Sequence, residues 1–225
     1  VANAISDATT AEDAAYSLDI SSVFADVDAG DTLTYSISAG PSSLSISSGT
    51  VTGTPTNDDV GANTVTISAT DGTASVTASY VLTVTNTNDA PTITSTADTT
   101  AEEDEAYSYT TTASDVDAGD TVTLTCTTVP SWLSCTAGAL TGTPSNSDVG
   151  SHAVVITATD VAGATALDSF TIVVANANDA PTVTSTAVTT ATEDSVYTYT
   201  LTASDADTGD TLTMAGTTVP SWLTF

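Results

Sequence analysis

The sequence predicts an all-β protein, a series of antiparallel β-sandwiches joined end to end, on three observations. The chain repeats itself with a long fixed period, apolar residues inside each period alternate with Thr and Ser, and no stretch has a helical period. Asn88-Asp89-Ala90-Pro91 returns 90 residues later as Asn178-Asp179-Ala180-Pro181. Ala113-Ser114-Asp115-Val116-Asp117-Ala118-Gly119-Asp120 returns as Ala203-Ser204-Asp205-Ala206-Asp207-Thr208-Gly209-Asp210, and Ala25-Asp26-Val27-Asp28-Ala29-Gly30-Asp31 is an earlier copy. Such a period means an array of similar modules, here 1–88, 89–178 and the first half of a third, 179–225. The stretches 85–90 and 175–180 end in proline and read as short stiff joints.

Within a module the strands follow from period-two alternation. Val65, Ile67 and Ala69 alternate with Thr and Ser, as do Val154, Ile156 and Ala158. Tyr80, Leu82 and Val84 match Phe170, Ile172 and Val174, while Tyr107, Tyr109 and Thr111 match Tyr197, Tyr199 and Leu201. Gly53-Thr54-Pro55 and Gly142-Thr143-Pro144 punctuate them as turns. About seven short half-buried strands in roughly 90 residues indicate an immunoglobulin-like sandwich. The Pro-Ser-Trp-Leu segments place Trp132 and Trp222 at equivalent positions, expected to pack as core or lid, with an aromatic sugar platform as the alternative. The third module stops before the counterparts of Val154–Ala158 and Phe170–Val174, so its apolar residues are expected to need completion by a longer parent protein.

Composition excludes whole classes of function. The chain has 225 residues, 28 of them acidic, no Lys or Arg and one His, for a formal net charge of −28. Nucleic-acid binding needs Lys and Arg against phosphates, phosphate sites need a lysine or an arginine clamp, and anionic membranes repel such a surface. The chain is nevertheless no disordered acidic tail, being 40% hydrophobic with mean hydropathy +0.15. No apolar run is long enough for a transmembrane helix, and Val1-Ala2-Asn3-Ala4 is not a signal peptide, so the expectation is a mature chain or a piece of a longer one. No Asn-x-Ser/Thr sequon occurs.

Cys126 and Cys135 align by the repeat with Ile37 and Ile46 in the first module and with Gly216 and Phe225 in the third. Two mostly apolar positions changing together to Cys predict a disulfide in place of a hydrophobic pair, and hence an oxidising, extracellular compartment. Catalysis finds little support. His152 is alone, its counterpart is Asn63, it is expected on the surface, and no nucleophile motif accompanies it. Carboxylate pairs serve glycoside hydrolysis elsewhere, but their return in every module argues for a structural task.

The acidic residues return in register. Glu-Asp precedes the second strand at Glu12-Asp13, Glu103-Asp104 and Glu193-Asp194; Asp-x-Asp-x-Gly-Asp follows; Asn-x-Asn-Asp-Ala-Pro marks each joint; Asp59 matches Asp148, and Asp71 matches Asp160. Loops gather at the ends of a sandwich, so carboxylates meet around the joints, and their repulsion calls for a hard dication with many oxygen ligands. Ca²⁺ suits this better than Mg²⁺, and zinc or copper have no imidazole or thiolate cluster to use. Three other readings stay open: Asp-x-Asp-x-Gly-Asp as a plain turn, an EF-hand-like loop whose glycine comes one position early, and an acidic halophilic surface, which would scatter its acids.

The order Glu-Asp, Asp-x-Asp, Ala-Thr-Asp and Asn-Asp-x-Pro resembles cadherin and cadherin-like repeats. Pro-Ser-Trp-Leu and Gly-Thr-Pro-Ser-Asn-Ser-Asp-Val-Gly resemble more narrowly the dystroglycan-type cadherin-like, or "putative Ig", repeats of large prokaryotic surface proteins. The resemblance covers essentially the whole chain and implies Ca²⁺ between successive domains. It implies for the first joint Glu12, Asp13, Asp59, Asn86, Asn88, Asp89, Asp115, Asp117 and Asp160, and for the second Glu103, Asp104, Asp148, Asn176, Asn178, Asp179, Asp205 and Asp207. Asn86 and Asn176 stand where cadherins carry Asp, and the Asp-Arg-Glu element is missing, which implies fewer or weaker ions. The expected function is an extracellular, calcium-rigidified structural or adhesive array without catalysis. Its partners are neighbouring repeats, copies of itself, or a cell-surface protein or glycan. The alternatives are a self-assembling filament or sheath subunit, a carbohydrate-binding module, and an accessory segment of a secreted enzyme.

Overall fold

A computed structural model describes residues 1–28 and 30–225. The chain divides into two compact units: Val1–Pro91 with Ser114–Val122 and Thr159–Thr165, and Thr92–Ala113 with Thr123–Ala158 and Ala166–Phe225. No helix is long and apolar enough to cross a membrane.

The first repeat contains β1 (Ala8–Ala11), β2 (Tyr16–Asp19), β3 (Thr34–Ala39), β4 (Leu44–Ser47), β5 (Thr50–Gly53), β6 (Gly61–Thr70) and β7 (Ser75–Thr85), with a single 3₁₀ turn at Asn57–Asp59. They form a four-stranded sheet ordered β1-β7-β6-β3 and a three-stranded sheet ordered β2-β5-β4. The alternation read from the sequence sets the inner faces: Val65, Ile67 and Ala69 from β6 and Tyr80, Leu82 and Val84 from β7 are buried against Tyr16, Leu44 and Val51 of the other sheet. Each fully buried Val, Leu or Ile contributes about 1.5–3 kcal/mol.

The second repeat copies this plan. Its strands are β8 (Thr92–Ile93), β9 (Thr100–Glu102), β10 (Tyr107–Thr110), β11 (Ala113–Ser114), β12 (Thr123–Thr128), β13 (Leu133–Thr136), β14 (Ala139–Gly142), β15 (Gly150–Thr159) and β16 (Thr165–Ala175). The sheets are β12-β15-β16-β9 and β10-β14-β13, with β8 paired to β11. Tyr107, Leu133, Leu140, Val154, Ile156, Ile172 and Val174 make the core. Cys126 on β12 and Cys135 on β13 are disulfide-bonded, with Cα atoms 6.4 Å apart, and so join the two sheets. Their counterparts Ile37 and Ile46 pack on the first core, as a bridge replacing a hydrophobic pair requires.

One pairing per repeat departs from the antiparallel pattern. β1 runs parallel to β7, with Ala8 opposite Leu82, and β9 runs parallel to β16, with Val173 opposite Thr100. The chain leaves each of these edge strands for the opposite sheet instead of turning back as a hairpin, and a crossover of that kind allows parallel pairing. The only strands described beyond Ala175 are β17 (Thr182–Val183) and β18 (Ala203–Ser204), which pair with each other.

Gly53 and Gly142 end β5 and β14 where no other residue fits. A Cβ at Gly53 would lie 2.2 Å from the Ser43 carbonyl oxygen, and one at Gly142 would lie 2.2 Å from that of Trp132.

Candidate metal centre

Glu12 is carried to its position by β1. Its N–H bonds the Thr85 carbonyl at 3.0 Å, extending the β1–β7 ladder by one residue. The chain then turns: Asp13 adopts φ 55° and its N–H bonds the Pro55 carbonyl at 2.8 Å. Glu12 is thereby pointed inward and is 1% exposed, whereas Asp13 is exposed. Glu103 and Asp104 repeat the construction, with Glu103 bonded to Ala175, Asp104 at φ 62° bonded to Pro144, and Glu103 1% exposed.

In the first compact unit, Glu12, Asp89 and Asp117 bring one carboxylate oxygen each within 4.8 Å of one another. Glu12 Oε1 accepts the Thr87 N–H at 2.7 Å, and Asp117 Oδ2 accepts the Asp89 N–H at 2.8 Å. Asp115 Oδ1 accepts the Asp117 N–H at 3.0 Å. The remaining oxygens, Glu12 Oε2, Asp117 Oδ1 and Asp115 Oδ2, are buried without any hydrogen-bond partner. Asn57 donates to Asp89 at 2.7 Å, and Asn88 donates to Asp160 at 2.8 Å. The Asn88 amide foremost, then the Ala164 and Gly163 N–H groups, hold the Asp160 carboxyl below the usual carboxylate range.

The second unit builds the same group from Glu103, Asp179 and Asp207. Ala177 N–H donates to Glu103 Oε1 at 3.0 Å, Asp179 N–H to Asp207 Oδ2 at 2.7 Å, and Glu103 Oε2 is again buried and unpartnered. Here the Asn146 and Asn176 amides both donate to Asp207 Oδ1, at 3.1 and 2.9 Å.

The other expected residues fall into three sets. Asp205 accepts the Asp207 N–H as Asp115 does that of Asp117, and Asn178 donates to the Asp179 carbonyl. Asp59 and Asp148 instead close the 3₁₀ turns Asn57–Asp59 and Asn146–Asp148, accepting from Thr56 and Ser43, and from Ser145. Asp13, Asp104 and Asn86 are exposed and join none of the carboxylate groups. Asp120 and Asp210 complete further groups with Asp115 and Asp117 and with Asp205 and Asp207, while Asp26, Asp28 and Asp31 form an exposed one. The last Asp of Asp-x-Asp-x-Gly-Asp returns in every copy, and that register was the available signal for them. His152 is half-buried: its ring lies edge-on to Trp132 with centroids 5.9 Å apart, and Nε2 is 2.6 Å from the Asp148 carbonyl oxygen. Trp132 packs on the second core, whereas Trp222 is 66% exposed.

The donor set fits a hard cation. Two unit charges about 5 Å apart repel by about 3 kcal/mol at an effective dielectric near 20. The chain has no Lys or Arg to offset that. Buried oxygens without donors are what a dication with six to eight oxygen ligands uses, and no thiolate or imidazole cluster competes.

A model of the family described as "Putative Ig domain" (He_PIG) matches residues 1–85, 90–175 and 180–225. No curated protein sequence matches the chain. Among solved structures, human CDH23 EC21-23 is 19% identical with TM-score 0.52, over 91% of this chain and 84% of that one. Protocadherin Gamma B2 extracellular cadherin domains 3-6 is 17% identical with TM-score 0.51, over 93% of this chain and 56% of that one. An endo-fucoidan hydrolase of glycoside hydrolase family 107 is 27% identical with TM-score 0.37, and the match covers 78% of this chain but 28% of that one. The cadherin structures share the fold.

Proposed function

This chain belongs to the Putative Ig domain family, and on that premise we propose that it is part of an extracellular structural or adhesive repeat array, stiffened by Ca²⁺ at its joints and without catalysis. One observation carries the reading: Glu12 Oε2 and Glu103 Oε2 are buried with no donor, each beside two aspartates, in a chain with no basic side chain but one histidine. Ca²⁺ supplies the missing positive charge. Glu12, Asp89 and Asp117, with Asp115, hold it at the first joint; Glu103, Asp179 and Asp207, with Asp205, hold it at the second. Asn88 with Asp160, and Asn146 with Asn176, orient the neighbouring groups. Because each set joins a Glu at the start of one repeat to the linker and to the loop 26 residues beyond Asp89 or Asp179, filling it ties successive repeats together. The disulfide supports an oxidising compartment. Trp132, packed on the core, supports a structural role for Pro-Ser-Trp-Leu.

Small-angle scattering and thermal melts with Ca²⁺ or EDTA test this. Removal of Ca²⁺ is expected to shorten the particle and lower Tm, as for any ligand that binds only the folded form. Half-saturation is expected at about 10⁻⁴–10⁻³ M, the range of extracellular modules. Superimposable scattering profiles in the two conditions would remove the proposal.

A further inference from the structure

We propose that each of the first two repeats is a mechanical clamp closed by its parallel edge ladder, and that in the second repeat the Cys126–Cys135 bridge sets how far the chain extends once the clamp opens. This rests on the reading of the chain as part of a structural array, in which tension crosses each repeat from one joint to the next.

The direction of the edge strands decides how they meet that tension. β1 lies near the start of the first repeat and β7 ends it; β9 and β16 hold the same places in the second. In both repeats these two strands run parallel, from Ala8 opposite Leu82 to Ala11 opposite Thr85, and from Thr100 opposite Val173 to Glu102 opposite Ala175. Tension pulls the early strand toward its N-terminal end and the late strand toward its C-terminal end. For parallel neighbours these pulls are opposed along one axis, so the ladder bonds are loaded in shear and have to fail together. Antiparallel terminal strands would instead be peeled from one end, one bond at a time. The ladders also run on past the paired residues. Glu12 N–H donates to the Thr85 carbonyl at 3.0 Å, Glu103 N–H to that of Ala175 at 3.1 Å, and Val173 N–H to that of Thr99 at 2.9 Å. Ahead of β9, the β8–β11 couple is two residues long on each strand, so little stands between the joint and the ladder.

The disulfide sits outside this path. Cys126 is on β12 and Cys135 on β13, both in the stretch of chain between β9 and β16. While the β9–β16 ladder holds, tension crosses from one edge strand to the other and bypasses the bridge. Once the ladder fails, the bridge still ties two residues whose sequence separation is 9. At about 3.3–3.6 Å per extended residue, it withholds roughly 25 Å of chain. The first repeat has Ile37 and Ile46 at those positions and releases everything between its edge strands. In chain-entropy terms a bridge acts on the unfolded ensemble. It therefore changes the length released and not the load at which the ladder yields, and the redox state of one cysteine pair grades the extension of the array.

Single-molecule stretching of the full chain at constant force, held by its two ends, tests this. Two release steps are expected in oxidising buffer, the second repeat's roughly 25 Å shorter than the first's. Dithiothreitol should bring the two steps to nearly equal length without changing either opening rate. Val173→Pro removes the N–H that bonds Thr99 and should open the second repeat roughly two- to tenfold faster, the worth of one ladder hydrogen bond, with the first repeat unchanged. Thr83→Pro, its counterpart on β7, should do the same to the first repeat. Val154→Ala thins a core that is still packed when the ladder yields, and should leave the opening rate nearly unchanged. Release lengths are read in Ca²⁺ and in EDTA and should be the same in both, so failure of the calcium reading leaves them untouched. Folded Pro variants that open at the native rate, or a Val154→Ala chain that opens as fast as Val173→Pro, would overturn the clamp. Dithiothreitol acting on the native chain decides the rest, whether or not the Pro variants fold: faster opening of the second repeat, or steps that stay unequal, would overturn the role of the bridge.

Discussion

Glu12 and Glu103 each bury a second carboxylate oxygen that no hydrogen-bond donor reaches. Glu12→Gln keeps an acceptor for the Thr87 N–H while removing the charge. The substitution should therefore act in opposite directions. In EDTA it should stabilise the fold by about 1–3 kcal/mol, the scale of an unsatisfied buried polar group; in saturating Ca²⁺ it should destabilise it and raise the apparent Kd. Paired denaturant titrations check this, and a change of the same sign in both media would contradict the assignment. Tyr107 offers a pH test away from the groups around Glu12 and Glu103. Burial foremost, then Asp98, Tyr109 and Asp168, push its hydroxyl up to about 12. Its folded-state pKa lies above the unfolded value, so its contribution is complete below about pH 10 and is lost as pH rises toward 12. Alkaline melts should show a fall in Tm over that window, smaller in Tyr107→Phe.

At the scale of elements, the disulfide and the turn glycines separate what is shared from what is particular. The bridge closes a short loop and should contribute about 2.5–3 kcal/mol in the chain-entropy model. Reduction is expected to lower the stability of the second repeat only, whereas Cys126→Ile with Cys135→Ile, copying Ile37 and Ile46, should make the protein indifferent to reductant. Site-resolved hydrogen exchange with and without dithiothreitol checks both. Gly142→Ala drives a Cβ into the Trp132 carbonyl, so it should cost about 1–3 kcal/mol or more through overpacking. An unchanged Tm for Gly142→Ala would mean that the backbone at Trp132, just ahead of β13, tolerates displacement.

At the scale of the whole molecule, the balance of −28 governs behaviour without Ca²⁺. The Debye length shrinks from about 30 Å at 0.01 M salt to about 8 Å at 0.15 M, so added NaCl should raise Tm markedly in EDTA and little in Ca²⁺. Equal salt dependence in the two conditions would show that the net charge, not the buried groups, dominates the repulsion.

Periodicity by itself determined much of this protein. Alternation placed Val65, Ile67, Val154 and Ile156 in cores, and the paired change from Ile37 and Ile46 to Cys126 and Cys135 foretold the bridge. The in-register acids also marked the groups around Glu12 and Glu103. These properties are local, or repeat at a fixed interval, so one strand or one loop suffices to show them. Tertiary structure decided the rest. Asp13 and Asp104 look equivalent to Glu12 and Glu103 in the sequence, but a left-handed turn leaves them exposed. Asp120 and Asp210 enter carboxylate groups because their loops curl back, which a motif of alternating Asp does not state. The parallel edge strands, the pairing of β1–β4 with β5–β7 and the pairing of β9, β10, β12 and β13 with β14–β16 follow from which strands become neighbours. Alternation says which face of a strand is buried; the partner is chosen by packing across tens of residues, and only the folded chain contains that information.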